Sequence, residues 1–247
     1  MAGGLKMAVQ RLANRLGYQI RRIDQGVDLA DPYVEQRRIL GEGVRTVFEV
    51  GAYDGRDALR YAEMFPEAHV FAFEPVPESF ALVASKAAAC PRITGFNVAV
   101  ADEPGHAEFH LSNWIDASSL LRPKATGSTF DAYQASSRSI TVPVDTLDAV
   151  CAREGIDRVN LLKMDAQGAE LRILHGATAL FARGGVDMVY AEVHFIESYE
   201  GAARFDQVMA WLLERGLRFH SLYGVNHNHR GQMTWADALF VHPRVAY

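Results

Sequence analysis

Cysteine is scarce in this chain: 247 residues contain two, Cys90 and Cys151. Two thiols build neither a disulfide framework nor a four-cysteine zinc site, and they point to a reducing compartment. Long apolar runs are missing too, since no stretch approaches the ~18 residues of a membrane-spanning helix. The N-terminus has no compact apolar block closed by small residues, so no secretory signal is expected and the cytoplasm is the expected location. A surplus of positive charge is also lacking. With 25 basic and 30 acidic residues the formal charge is -5, which leaves no electrostatic case for nucleic-acid binding. Hydrophobic residues at 49% and charged residues at 22% exclude disorder and collagen-like structure.

What remains is an ordinary globular chain of fewer than two domains, at roughly 150 residues per domain. Residues 1–40 are expected to form a helical extension and residues 41–247 the main domain. In the extension, Lys6, Arg11, Arg15, Arg21 and Arg22 precede the first acid, Asp24, while Leu5, Val9, Leu12, Leu16 and Ile20 recur at helical spacing. Such a helix packs on its own domain or a twin subunit, or rests peripherally on an anionic membrane face. Beyond it, Asp31-Pro32 reads as a helix start.

The main domain alternates strands and helices. Apolar runs at Arg45–Val50, Val70–Phe73, Gly95–Val100, Val159–Met164 and Val186–Val193 read as buried strands. Helices are expected at Ala58–Met64, Glu78–Ala89, Thr146–Glu154, Ala169–Arg183 and Ala203–Arg215. Strands at Leu217–Tyr223 and Ala238–His242 close the chain. This rhythm predicts one α/β domain with a parallel sheet covered on both faces. It breaks between the short strands Ala107–Leu111 and Ser139–Val144. The polar segment between them, with Trp114, Ser118, Ser119 and Gly127-Ser-Thr129, is long enough to be a functional loop over an acceptor pocket.

Glu49-Val-Gly-Ala-Tyr-Asp-Gly55 follows the first strand and leads into a helix. Glycine there permits a tight turn and close ligand approach, and the helix start offers free N–H groups. Nucleotide-type ligands bind open α/β sheets at such carboxyl ends of strands. The spacing is not Gly-x-Gly-x-x-Gly, so a pyrophosphate is poorly served. Glu74 ends the second strand, where its carboxylate can accept from both hydroxyls of a ribose. Asp102, past the third strand, is placed for an adenine. Three such strand ends favour a nucleoside ligand that is uncharged or cationic.

Four blocks, Val47-Phe-Glu-Val-Gly-Ala-Tyr-Asp-Gly55, Phe71-Ala-Phe-Glu-Pro-Val-Pro-Glu-Ser79, Asn97-Val-Ala-Val-Ala-Asp102 and Leu162-Lys-Met-Asp-Ala-Gln-Gly-Ala-Glu170, resemble the FkbM family of S-adenosylmethionine-dependent methyltransferases. The resemblance runs from about Thr46 to Val241. It implies a class I methyltransferase (Rossmann-like) fold with a seven-stranded, mostly parallel sheet and helices on both faces. It further implies that Glu49, Gly51 and Gly55 surround the methionine part, Glu74 the ribose and Asp102 the adenine. Glu49 and Tyr53 stand where Asp and Asn are commoner in the family.

The reacting end is expected at the neighbouring strand ends carrying Asp165, Glu192 and His194. Transfer of a methyl group to an alcohol requires the hydroxyl proton to leave, and histidine is the natural base at neutral pH. His194, oriented by Asp165 or Glu192, is therefore the expected base. Alternatively the three residues hold a divalent cation that acidifies the alcohol. Gly168 is assigned to a turn and Glu170 to a first-turn helix charge. Tyr199, Asn226-His-Asn-His229 and Asp237 follow on later loops, the amides suiting a sugar rim. The reading is an O-methyltransferase for a glycan hydroxyl or a related small natural product. A nicotinamide-dependent oxidoreductase and a non-catalytic nucleoside-binding module are the alternatives. The first lacks the early-glycine spacing and a Tyr-x-x-x-Lys pair.

Overall fold

The computed structural model describes residues 31–126 and 135–246, together with residues 9, 11–13 and 15. The chain divides into one unit over Met1–Arg38 and another over Ile39–Tyr247. In the first, residues 9, 11–13 and 15 are helical, with Val9 and Leu12 exposed and Ala13 buried. Leu5, Leu16 and Ile20 of the apolar stripe lie outside the described residues, as does Gly127-Ser-Thr129. Helix α1 (Pro32–Leu40) begins with a proline that needs no N–H partner, and Asp31 Oδ1 accepts the Tyr33 N–H at 2.9 Å. No described helix is long and apolar enough to cross a membrane.

The second unit runs β1 (Thr46–Val50), α2 (Arg56–Met64), β2 (His69–Phe73), α3 (Pro77–Ala89), β3 (Ile93–Phe96), β4 (Ala99–Val100), β5 (Gly105–Ser112), β6 (Ser136–Asp145), α4 (Leu147–Glu154) and β7 (Val159–Met164). It continues through α5 (Glu170–His175), α6 (Thr178–Ala182), β8 (Val186–His194), α7 (Phe205–Glu214), β9 (Arg218–Tyr223), β10 (Trp235–Val241) and α8 (Pro243–Ala246). Seven strands form one sheet in the order β3-β2-β1-β7-β8-β10-β9, in which only β10 runs antiparallel. The chain leaves β1 towards β2 on one side and returns as β7 on the other, which puts the topological switch point at the end of β1. A three-stranded sheet, β4-β6-β5, is inserted between β3 and β7.

Side-chain alternation divides each strand between two environments. Phe48, Val50, Leu162, Met164, Val189 and Ala191 join the core with Leu147 and Val150 of α4, Leu174 of α5 and Leu212 of α7. The opposite face carries Glu49, paired in register with Lys163, and Glu192, paired with Asp237. The small sheet has its own core of Val76, Ala101, Phe109, Leu111, Val142 and Val144.

Two expected elements are corrected. The run Gly95–Val100 is not one strand: it breaks at Asn97, whose side-chain amide donates to the carbonyls of Glu74 (2.8 Å) and Pro75 (3.1 Å). The chain thereby leaves the large sheet after Phe96 and enters the small one at Ala99. The helix expected over Ala169–Arg183 is divided at Gly176. A Cβ there would sit 2.0 Å from the Ala101 carbonyl oxygen, so the close approach of these two segments requires glycine.

At the start of β8, buried Asp187 joins Arg158 (2.6 and 2.8 Å), Arg244 (2.6 Å) and Asn160 (2.7 Å), tying α8 and β7 to β8. Burial opposes its ionisation, yet Arg158, Arg244 and Asn160 together hold the carboxyl below its ordinary range.

Candidate active site

A cavity of about 430 Å³ opens at the switch point. Its floor is the turn after β1. The Gly51 and Ala52 N–H groups both donate to the Phe73 carbonyl at 3.0 Å, fastening this turn to β2. Gly51 has φ 79°, and a Cβ on it would lie 1.9 Å from the Asp165 carbonyl oxygen. Glycine alone lets β1 and β7 approach this closely. Tyr53 also has positive φ (49°), which turns its N–H onto Glu74 Oε2 at 2.8 Å.

Glu49 and Glu74 both line this cavity and are almost fully buried. Glu74 accepts one backbone N–H on each oxygen, from Tyr53 and from Val76 at 2.8 Å, so each oxygen keeps a lone pair. Burial pushes it up to about 7, against the pull of those two hydrogen bonds and of Lys163. Glu49 Oε2 is buried without a hydrogen-bond partner. Burial raises Glu49 to about 8; Lys163 opposes the shift, while Asp57, Asp165 and Asp54 add to it. A buried carboxyl oxygen without a partner beside a cavity calls for a hydrogen-bond donor. The far end of the cavity is apolar, walled by Val98, Val100, Phe109, Ile115 and Leu120.

Asp102 is a correction. It does not line the cavity: it follows β4 rather than β3, and its carboxylate pairs with Arg172 at 2.8 Å.

His194 is the second correction. Its side chain is 1% exposed, off the cavity lining, and both ring nitrogens lack a hydrogen-bond partner. Nε2 lies 3.3 Å from Glu192 Oε1 without hydrogen-bond alignment, and the ring packs edge-on against Tyr199. Burial depresses its pKa, outweighing Glu170 and Asp165. A sealed, neutral imidazole does not reach an acceptor proton. The proposed metal set fails with it: among the described residues no three His, Cys, Asp or Glu side chains are grouped to hold an ion. Lys163, 3.6 Å from Asp165, occupies the neighbourhood with a positive charge of its own.

Asp165 does line the cavity, with its side chain 39% exposed. Gln167, at φ 52°, turns back so that its amide donates to Asp165 Oδ1 at 2.8 Å. The Tyr199 hydroxyl lies 2.7 Å from Gln167 Oε1 and 3.0 Å from the Ala117 carbonyl. Glu192 stands behind this pair; burial raises its pKa well above the ordinary value, with Asp165 and Asp237 adding to the effect. Burial and Asp165 likewise push Asp237 up to about 6, despite the hydrogen bond from Tyr190 at 2.9 Å. Glu170 stands in the first turn of α5, as expected, but is buried: it accepts the Ala166 N–H at 2.9 Å, and burial lifts it to about 7.

The segment from Ser112 to Lys124 roofs the cavity. Ser119 Oγ donates to the Gln167 carbonyl at 2.8 Å, the Lys124 N–H to Ser198 and the Glu200 N–H to Arg122. Ser119 is thus a fastener, while Ser118 lines the cavity. Asn226 and Asn228 build the β9–β10 turn: Asn226 donates to the Gly224 carbonyl, and Asn228 Oδ1 accepts the N–H groups of Arg230 and Gln232. Lys163 and Gln167 were assigned no role from sequence. A lysine inside an apolar strand run is the signal that marks the first; nothing short of the turn geometry marks the second.

A seven-stranded sheet with this order, its one reversed strand and the acid-and-glycine turn after β1 define a class I methyltransferase fold. The crystal structure of Methyltransferase FkbM from Methylobacillus flagellatus KT shares it, with a TM-score of 0.52 and 14% identity over 81% of this chain and 44% of that one. Residues 49–219 match the Methyltransferase FkbM domain, and the chain belongs to that family. It is also 30% identical over 162 residues to the 2-O-methyltransferase NoeI of Sinorhizobium fredii (strain NBRC 101917 / NGR234). That match covers 63% of this chain and 65% of NoeI, so the chain spans less than two thirds of either relative.

Proposed function

We propose that this protein is an S-adenosylmethionine-dependent O-methyltransferase whose acceptor is a hydroxyl of a glycan or related natural product. The observation that carries the reading is Glu49, which lines the cavity and whose buried Oε2 has no hydrogen-bond partner. The residues fit the cofactor along its length. Glu49 answers its ammonium, the free lone pairs of Glu74 its ribose hydroxyls, and the Val98–Phe109 wall its adenine. When bound, the cofactor supplies an electrophilic methyl on a sulfonium centre.

The chain's own residues then have three tasks. Glu49 and Glu74 hold the two polar ends of the ligand. The roof fastened by Ser119 and Tyr199 limits water at the reacting end. Asp165, exposed to the cavity and oriented by Gln167, accepts the acceptor's hydroxyl proton as the new C–O bond forms. The name of NoeI supports oxygen as the nucleophile, and carboxylates at the reacting end suit an acceptor with several hydroxyls.

Calorimetric titration with S-adenosylhomocysteine tests the cofactor, and transfer of labelled methyl to a panel of neutral methyl glycosides tests the acceptor. Binding is expected in wild type and at least ~10-fold weaker binding in Glu74→Ala, from the loss of charge-assisted hydrogen bonds. Undetectable binding, or an unchanged affinity in Glu74→Ala, would sink the site assignment. Binding without transfer to any acceptor would identify a nucleoside-binding module instead.

A further inference from the structure

Lys163 is the one residue of the Leu162–Glu170 block that stands among the acids without a role in holding ligand or taking a proton. Its side chain is 9% exposed. It lies 3.9 Å from Glu49 Oε1, 3.8 Å from Asp57 Oδ2 and 3.6 Å from Asp165 Oδ2. The three carboxylates come from three elements, β1, α2 and the end of β7. Beyond them, Lys163 acts on Glu74 from the end of β2, on Glu192 from β8 and on Asp237 from β10. These three separations fall within 0.3 Å of one another, so no one of the three carboxylates dominates the other two.

We propose that Lys163 is a positioning residue that couples the cofactor end of the cavity to its reacting end. In the free protein with Glu49 ionised, its charge is shared among Glu49, Asp57 and Asp165. An ammonium arriving on Glu49 supplies that carboxylate with a closer cation and repels Lys163. The lysine then moves towards Asp165, on the side where the acceptor is handled. The cofactor's own charge thereby prepares the carboxylate that takes the acceptor's proton, which favours cofactor binding before acceptor. The inference rests on the assignment of Glu49 to the ligand's ammonium made above.

Two ligands separate the cause. S-adenosylhomocysteine carries the amino-acid ammonium; 5′-methylthioadenosine keeps the nucleoside and thioether but has no amino-acid part. The carboxyl carbon resonance of Asp165, assigned with Asp165→Asn and followed at fixed pH, reports its ion pairing. Lys163→Met sets the reference position for Asp165 without its lysine, and Lys163→Arg tests rescue. S-adenosylhomocysteine is expected to move the wild-type resonance further from the Lys163→Met position, whereas 5′-methylthioadenosine leaves it in place. Neither ligand should move it in Lys163→Met, and Lys163→Arg should restore the response. Equal displacement by both ligands, or a response that survives in Lys163→Met, overturns the coupling. Movement towards the Lys163→Met position also overturns it, since Lys163 would then be leaving Asp165 for the ligand's carboxylate. Absence of binding by S-adenosylhomocysteine defeats the methyltransferase reading together with the coupling. Binding with an unmoved resonance defeats the coupling alone.

Discussion

Glu49 and Glu74 make cofactor affinity depend on pH in a way that can be worked out from their surroundings. Burial lifts Glu49 to about 8 and Glu74 to about 7, so both are largely protonated in the free protein at mildly acidic pH. A ligand ammonium needs the ionised form of Glu49, and ribose hydroxyls bind best to the ionised form of Glu74. Binding must therefore expel protons. Below pH 8 each unit of acidification removes about one decade of affinity through Glu49, equivalent to about 1.4 kcal/mol, and below pH 7 the slope approaches two decades. The assay is calorimetry with S-adenosylhomocysteine between pH 6 and 8 in buffers of differing ionisation enthalpy, which counts released protons directly. In Glu49→Gln the slope near pH 6 should fall from about two to about one, and affinity at pH 8 should drop roughly 10-fold or more, reflecting a lost charge-assisted hydrogen bond. The ligand 5′-methylthioadenosine should show only the Glu74 component. A flat pH profile in wild type, or an unchanged slope in Glu49→Gln, would refute the reasoning. The same shift acts on the free fold with the opposite consequence. Glu49 lies above its ordinary value near 4.5, so its contribution to stability is complete below that value and is lost as pH rises through about 8.

Gly51→Ala would combine φ 79° with a Cβ 1.9 Å from the Asp165 carbonyl, costing about 3 kcal/mol or more and abolishing S-adenosylhomocysteine binding; thermal melting and calorimetry read both, and a wild-type melting temperature would contradict the close approach. Asp187→Asn leaves Arg158 and Arg244 without their buried counter-charge and should lower stability by about 3–5 kcal/mol in denaturant titrations at pH 7. Because Asp187 is held below its ordinary range, its contribution is present above about pH 4 and fades as pH falls through its lower folded value. The variant should therefore lose part of the acid limb, and an identical limb would argue against the pairing. His194→Leu removes two unpartnered nitrogens from the interior and should keep both the fold and methyl transfer within about threefold, whereas Asp165→Asn should slow transfer about 10²–10⁴-fold with ligand binding retained. A large loss in His194→Leu with normal S-adenosylhomocysteine binding would restore the histidine as base.

Strands β1, β2 and β7 are legible to within a residue because each is a short apolar run with a turn residue or a charge at its end. That Glu49, Gly51 and Glu74 line a cavity is legible for the same reason: a strand end at the switch point is a fixed address. Failures occur where a tertiary contact overrides a continuous local pattern. Phe96 to Val100 reads as unbroken strand, yet Asn97 is bound to the carbonyls of Glu74 and Pro75. Asp102 then follows β4 and pairs with Arg172. Gly176 reads as a tolerated helical glycine, while the reason for it, the Ala101 carbonyl, lies far away in sequence. The alternation that puts Glu192 and His194 on one face of β8 says nothing about which of them is sealed behind Tyr199.

The inserted three-stranded sheet makes the cavity a seam between two layers whose cores meet at Val100, a β4 residue packed into the core of the large sheet. One wall, with Glu49, Gly51 and Asp165, belongs to the large sheet, and the other, with Val100 and Phe109, belongs to the small one. A molecule filling the seam adds apolar contacts to both layers at once and so raises the cooperativity between them. A ligand in the seam is thus expected to act as a structural tie across the domain as well as a reactant, read as a steeper and later thermal transition on binding.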